Sequence, residues 1–419
     1  MSNRWRSSIS RDREPKPIEA EVLAWGDHGD GELHVGSKRL FVAGAIPDEL
    51  VSVLASKPPK LIKVLTPSDD RRKSPCRYAS ECGGCQLQHV TPRGQLNFKA
   101  DRLTRFLHGL ALDNLPEVEL LSAEDRGYRR RARLSVSYRG GKLRMGFRQA
   151  KSNRIVDIDS CYNLTDPLNQ VIKALKPLLA QQRAVSHIDL LQLDHAVGLH
   201  LRLTEPLQEQ QLDAFQSLPG VALKVSRDEA WLVDTPWLVS NNGSSVAYQP
   251  GDFLQANTKI NALMVERVLE WMAVDEGDSV ADFFSGLGNF SVPMAVKGAA
   301  VVGFEGSDAM VKRASEAAER STASRIVYRS VDLFGTQLVL ENYNKVLLDP
   351  PRAGAQSLCE QLSKAAKVER VVYVSCDTNS LARDLKILVA GGFNIEGLAL
   401  ADMFPNTIHS ETIVLLTRV

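Results

Sequence analysis

Six cysteines stand in this chain, and their neighbours sort them by the chemistry open to each. Cys376 closes an apolar run, Val372-Tyr-Val-Ser375-Cys376-Asp377-Thr-Asn379, which reads as a strand passing into a helix. A lone cysteine beside such a strand is more often packing than chemistry, and Cys359, within a helix-like stretch, is read that way. Cys376 is set apart by its company. The turn Asp282-Phe-Phe-Ser-Gly286-Leu-Gly288-Asn289, then Glu305, Asp332 and Asp349, each sit at the end of another apolar run. In a parallel sheet these ends share one edge, where ligands bind, so the residues converge on one cleft and Cys376 becomes a candidate nucleophile.

Glycines in a strand-to-helix turn let a ligand approach the backbone, and Glu305, 19 residues after Gly286, can take two ribose hydroxyls. A dinucleotide would call for a third glycine, but Ser291 stands in its place and no phosphate contacts are found. That counts against a NAD-dependent oxidoreductase. An acidic rim suits S-adenosylmethionine, which is cationic and carries no phosphate. In Leu347-Leu-Asp349-Pro350-Pro351-Arg352 the prolines hold the backbone extended and remove two N–H donors, turning Asp349 toward the cleft. By itself an Asp-Pro pair is only a turn. Glu411 opens the last apolar run, after Met403-Phe-Pro-Asn-Thr-Ile-His409-Ser410. If that strand runs antiparallel, Glu411 faces Cys376; otherwise it is a solvated carboxylate.

A second constellation is Cys76-x5-Cys82-Gly-Gly-Cys85, with Cys161 as a remote fourth thiol. Four cysteines can hold zinc or an iron–sulfur cluster; three together and one distant favour a [4Fe–4S] cluster. The spacing differs from that of radical enzymes, so a structural role is expected.

Charge is asymmetric. The formal net charge is +1, yet Arg126 to Arg154 carries eleven basic residues and no acidic one. Within it Leu134, Val136 and Tyr138, then Leu143, Met145 and Phe147 beyond Gly140-Gly141, alternate with polar residues. This predicts a hairpin with one apolar and one basic face. Most charge runs are merely solvated, but cations without counter-charge favour an anionic partner. Arg4, Arg6, Arg11 and Arg13 of the N-terminal tail, and Arg71-Arg72-Lys73, point the same way.

Positioning these residues takes several modules. At 419 residues two to three domains are expected. Residues Ile18 to Thr66 read as five short strands, a small barrel of OB type. Leu96, Leu103, Phe106, Leu107 and Leu110 recur at helical spacing. From about 120 to 245, strands alternate with one helix, Leu168 to Leu179. From Asn257, a helix (Ile260 to Trp271) leads into strand–helix units, hence a parallel sheet covered on both faces. Hydrophobic residues at 44% and charged at 24% suit a folded soluble protein. With no apolar span and no secretory start, membrane and secreted classes are set aside and a cytoplasmic chain is expected.

Taken together, the cysteine loop, DFFSGLGNFS, LLDPPRAGA, VSCDTNSLARDL and MFPNTIHSETIVLL resemble the RNA uracil-C5 methyltransferases, and among them the branch acting on 23S ribosomal RNA. The resemblance implies a Rossmann-like catalytic domain at 251–419, its parallel sheet ending in an antiparallel strand. It also implies an N-terminal barrel of TRAM type at 15–70 after a basic tail at 1–14. A central α+β iron–sulfur domain would occupy 71–250, with about 92–118 packed on the catalytic domain. It implies a [4Fe–4S] cluster on Cys76, Cys82, Cys85 and Cys161, and S-adenosylmethionine contacts at Gln255, Phe284, Asn289, Glu305, Asp332 and Asp349. Cys376 would add to uracil C6 and Glu411 would remove the C5 proton, on a uridine flipped from its stack against Phe253. Asp349 could also bond the uracil edge. The expected partner is 23S rRNA and the expected state a monomer. A transfer-RNA enzyme of the same family and a non-catalytic iron–sulfur RNA-binding protein are the alternatives.

Overall fold

The computed structural model describes residues 16–109, 115–241, 244–321 and 325–418. Arg4, Arg6, Arg11, Arg13 and Leu110 lie outside them. Strands β1 (Ile18–Trp25), β2 (Asp30–Val35), β3 (Lys38–Ala43), β4 (Leu50–Leu54) and β5 (Lys60–Thr66) pair antiparallel in the order β3-β2-β1-β4-β5. Their alternation buries Val22, Leu33, Val42, Val51 and Val53 around Ala45. With β3 coming round against β5, the sheet curls about that small core.

Helix α1 (Pro92–His108) starts where Thr91 Oγ1 accepts the Gly94 N–H at 3.1 Å, with proline in its first turn. Its Phe98 ring lies 4.9 Å from Trp25 of the barrel. Strand β6 (Val118–Leu121) follows. A seven-stranded sheet comes next, from β7 (Arg131–Arg139), β8 (Lys142–Arg148), β9 (Ile155–Asp157), β10 (Val185–Gln192), β11 (Val197–Leu203), β12 (Val221–Arg227) and β13 (Ala230–Asp234). Its order is β13-β12-β11-β10-β7-β8-β9. Helices α2 (Asp166–Ala180) and α3 (Glu209–Gln216) pack on it, and Leu134, Val136 and Met145 are buried with Leu168, Ile172 and Leu175. Each such side chain contributes about 1.5–3 kcal/mol by burial. Arg133, Arg139 and Arg148 take the other face, exposed. A short hairpin, β14 (Trp237–Asn241) and β15 (Ser244–Tyr248), leads on.

The remaining elements are α4 (Thr258–Met272), β16 (Ser279–Phe283), α5 (Ser291–Val296), β17 (Ala300–Glu305), α6 (Asp308–Glu319), β18 (Ile326–Ser330), β19 (Lys345–Leu348), α7 (Gln356–Leu362), β20 (Arg370–Ser375), α8 (Thr378–Ala390), β21 (Asn394–Ala401) and β22 (Glu411–Thr417). They form an eight-stranded sheet in the order β18-β17-β16-β19-β20-β22-β21-β6. The first five strands are parallel, and β22 runs antiparallel to both neighbours. Side chains of α4 and α5 cover one face, those of α1, α7 and α8 the other. The strand periodicity anticipated the five parallel strands and β22. The eighth strand is β6, which pairs parallel with β21 although it precedes the rest of this sheet by more than a hundred residues.

Candidate active site

Strand register sets the site. Phe283 is level with Phe304 on one side and Leu348 on the other, so Phe284, Glu305 and Asp349 emerge side by side at the carboxyl edge. On β20 and β22, Ser375 faces Thr412; one step further, Cys376 comes level with Glu411. A cleft of about 870 Å³ opens there, lined by Phe253, Gln255, Phe284, Glu305, Asp332, Asp349, Cys376 and Glu411. Arg352, Phe334 and Phe404 complete it. Asn289 is not among the lining residues; its side-chain amide exchanges two 2.9 Å hydrogen bonds with Asn261 under the turn.

The turn after β16 is tight for a physical reason. Gly288 has φ +87°, and a Cβ there would come within 2.3 Å of the Tyr328 hydroxyl. Phe284, a non-glycine residue at φ +64°, holds a strained conformation at the cleft wall. Glu305 is aimed by its own surroundings: Gly286 N–H donates to Oε2 and Ser307 N–H to Oε1, each at 3.1 Å. Asp332 accepts the Phe334 N–H at 3.0 Å and stays exposed. Gln255 is 4% exposed and its Oε1 has no hydrogen-bond partner, a buried acceptor turned to a cleft that a ligand can fill.

Burial dominates the electrostatics. It pushes Asp349 up to about 7, helped by Asp282, and raises Glu411, 5% exposed, well above the carboxylate range with help from Asp349. Cys376 is exposed at the mouth, yet the protein packed around its sulfur and then Glu411 and Asp349 push the thiol up to about 11. Arg352 opposes the rise at both Cys376 and Glu411. Cys359 is fully buried in the core.

Aromatic and basic side chains rim the opening. Phe253 is 59% exposed, with the Arg131 guanidinium 5.9 Å from its ring centre, and Arg129 stands likewise at 5.9 Å from Phe404. The expectation that the basic stretch lacks counter-charge is corrected here. Arg133 pairs with Asp189 of the adjacent β10 at 2.5 Å, and Arg130, 8% exposed, donates to the Gln255 carbonyl at 2.9 Å. Sequence distance hid the Asp189 counter-ion. Arg352 and Phe404 belong to the LLDPPRAGA and MFPNTIHSETIVLL motifs, yet nothing in the sequence gives either a role. Phe334 follows Asp332 in a loop and offered no periodic signal.

The cysteine loop packs on the basic hairpin. Gly83 N–H donates to the Arg148 carbonyl at 3.0 Å, and a Cβ at Gly83 would come within 2.9 Å of the Ala150 backbone. Burial raises the Cys82, Cys85 and Cys161 thiols, the last to about 11, and Cys76 adds to the rise at all three. Cys76 and Cys161 border one cavity, and Asn163, two residues past Cys161, donates to Cys85 Sγ at 3.2 Å. Among the described residues, however, no group of three or more His, Cys, Asp or Glu is placed to hold a metal ion. No helix among them is long and apolar enough to cross a membrane.

A parallel sheet with a glycine turn, an aimed acid on the next strand and a ligand cleft at its carboxyl edge defines a Rossmann-like fold with its ligand site at the strand ends. The family model described as tRNA (Uracil-5-)-methyltransferase matches residues 92–419. The 23S rRNA (uracil(1939)-C(5))-methyltransferase RlmD of Pectobacterium carotovorum subsp. carotovorum (strain PC1) is 35% identical over 423 residues, covering 96% of this chain and 94% of that protein. The enzyme of the same name from Vibrio cholerae serotype O1 (strain ATCC 39541) is 35% identical over 435 residues, covering 97% of each. The solved tRNA (uracil-54, C5)-methyltransferase of Pyrococcus abyssi, in complex with S-adenosyl-L-homocysteine, shares the fold at a TM-score of 0.78 and 24% identity, covering 95% of this chain and 99% of that one. The chain belongs to the tRNA (uracil-5-)-methyltransferase family.

Proposed function

We propose that this chain methylates C5 of a uridine in 23S ribosomal RNA, using S-adenosylmethionine. The observation that carries the reading is Cys376 level with Glu411 at facing strand ends, in one cleft with Glu305 and Asp332. Relatives named for 23S rRNA match nearly end to end, which favours ribosomal over transfer RNA.

The cleft suits the cofactor. Glu305, held by two N–H groups, would take the ribose hydroxyls, and the partnerless Gln255 Oε1 would meet a polar cofactor atom. Phe284, Asp332 and Asp349 would line its path, and Asn289 would brace the turn through Asn261. When bound, S-adenosylmethionine supplies the methyl group that uracil C5 takes up.

Uracil C5 is a poor nucleophile until a thiolate adds at C6. Cys376 Sγ, having lost its proton, would form that bond and shift electrons onto the ring carbonyl. After C5 carries the methyl group, Glu411 would remove the C5 proton. That electron pair re-forms the C5–C6 double bond and expels Cys376 Sγ. Asp349, raised to about 7 by burial, would also meet the uracil edge. Phe253 would stack the flipped base, with Arg131 beside it.

We read Cys76, Cys82, Cys85 and Cys161 as the all-thiolate donor set of a structural [4Fe–4S] cluster tying two segments together; the cavity shared by Cys76 and Cys161 and the bond from Asn163 to Cys85 support this. On this reading 15–70 is the TRAM-type barrel, 71–250 the central domain and 251–419 the catalytic domain, acting as a monomer. The test supplies unmodified 23S rRNA, tRNA and radiolabelled S-adenosylmethionine. Label at C5 of one ribosomal uridine is expected. Label in tRNA alone would favour the transfer-RNA reading, and label in neither would end both.

A further inference from the structure

The segment from Asp402 to Ser410 joins β21 to Glu411 and is largely buried, although it has no regular structure. Buried irregular backbone is unusual, because its polar groups must find partners away from water. Asn406 supplies many of them. It is fully buried, at φ +69°, a left-handed conformation that asparagine tolerates better than most residues.

Its side-chain amide makes four hydrogen bonds. Oδ1 accepts from Arg72 at 2.7 Å and from Gln95 at 3.3 Å. Nδ2 donates to the Asp125 carbonyl at 2.8 Å and to Asn163 Oδ1 at 3.0 Å. Its backbone N–H donates to Gln95 Oε1 at 2.6 Å, and its carbonyl accepts from Leu87 N–H at 3.0 Å. One residue thus joins the cysteine-loop flank, α1 and the segment after Cys161 to the chain that carries Glu411. The connection also reaches a cysteine, since Asn163 Nδ2 donates to Cys85 Sγ at 3.2 Å.

We propose that Asn406 is a positioning residue: it transmits the placement of the Cys85 and Asn163 segments to Glu411, so that the cysteine loop sets the register of the base. The inference rests on the reading of Glu411 as base and Cys376 as nucleophile. Cys376 stands on the turn between β20 and α8, to which none of these Asn406 hydrogen bonds runs. Removing the Asn406 hydrogen bonds should therefore spare addition to C6 and slow removal of the C5 proton. A displacement of about 1 Å at a catalytic group can cost on the order of a hundredfold.

The experiment compares Asn406→Gly, which keeps the backbone conformation, and Asn163→Ala, which breaks the link to Cys85 without altering the loop. Glu411→Gln serves as reference, all as full-length protein with RNA and radiolabelled S-adenosylmethionine. On a denaturing gel, both variants should accumulate a methyl-labelled protein–RNA adduct, as Glu411→Gln does, and release product on the order of a hundredfold more slowly than the parent. A merely destabilised enzyme would lose adduct and product together. If Glu411→Gln accumulates adduct while Asn406→Gly and Asn163→Ala release product at the parent rate, Asn406 does not position the base. If Asn406→Gly fails to fold, Asn163→Ala decides alone. If Glu411→Gln itself turns over normally, the underlying reading of the base fails instead.

Discussion

Arg352 lines the cleft and makes no ion pair or hydrogen bond among the described residues, so its charge acts at short range on Cys376 and Glu411. It lowers the thiol's pKa against the two carboxyls that raise it. Removing the cation must raise that pKa and reduce the thiolate present at any pH below it. Arg352→Ala should therefore slow alkylation of Cys376 by iodoacetamide at pH 8, read by mass spectrometry. The guanidinium is exposed, so the effect should be modest, about two- to fivefold; an unchanged rate would show that Arg352 does not tune the thiol. The ionisation logic also has a sign for activity. Both Cys376 and Glu411 must lose a proton, and both are raised, so kcat/KM should climb from pH 6 to pH 9. A profile flat across that range would show that neither group limits the reaction. At this scale the sequence was informative where a rule of the parallel sheet applied: Cys376, Glu305, Asp349 and Glu411 are strand ends, and strand ends meet. Phe404 and Arg352 were visible as letters without a role, because what they touch is decided by loops.

Among the elements, the buried pair Lys99–Asp402 pins α1 to the segment before β22 at 2.5 Å, and Lys99 also donates to the Phe404 carbonyl at 3.2 Å. Lys99 is 1% exposed, so Asp402→Ala would leave a buried, unpaired charge, at a cost of about 3–5 kcal/mol. Thermal unfolding followed by circular dichroism should show a lowered Tm for Asp402→Ala, and a smaller loss for Lys99→Met combined with Asp402→Leu. Equal losses would mean that the charge itself is unimportant. This pair explains how α1 comes to pack beneath a catalytic sheet it precedes. The neighbouring β6 was illegible in sequence as an edge strand of that sheet: four residues, Val118 to Leu121, carry too little pattern to choose a partner. Its place comes from parallel pairing with β21, which a bulge between Ile395 and Gly397 pulls out of simple alternation.

At the scale of the whole molecule, the cysteine loop packs on the basic hairpin, and Arg131 at the start of that hairpin stands beside Phe253 on the rim of the cleft. Arg129 and Arg131 are free of carboxylate partners in the described structure, while Arg133 is engaged by Asp189. Arg129→Ala with Arg131→Ala should lower the log–log salt slope of RNA binding by about 0.7 for each phosphate no longer neutralised. Arg133→Ala should lower it less, and an equal fall would restore the simpler picture of a uniform basic face. Protein purified without oxygen should be brown, with about four irons per chain for one cluster; stoichiometric zinc instead would replace the cluster with a zinc site. The central claim, addition by Cys376 and proton removal by Glu411, is tested most directly by a denaturing gel of each variant mixed with RNA and radiolabelled S-adenosylmethionine. Cys376→Ala should give neither adduct nor product, whereas Glu411→Gln should accumulate a methyl-labelled adduct joined through Cys376, because the C5 proton stays and the thioether cannot be expelled. Free methylated RNA from Glu411→Gln at the parent rate, or a labelled adduct in Cys376→Ala, would contradict that division of roles.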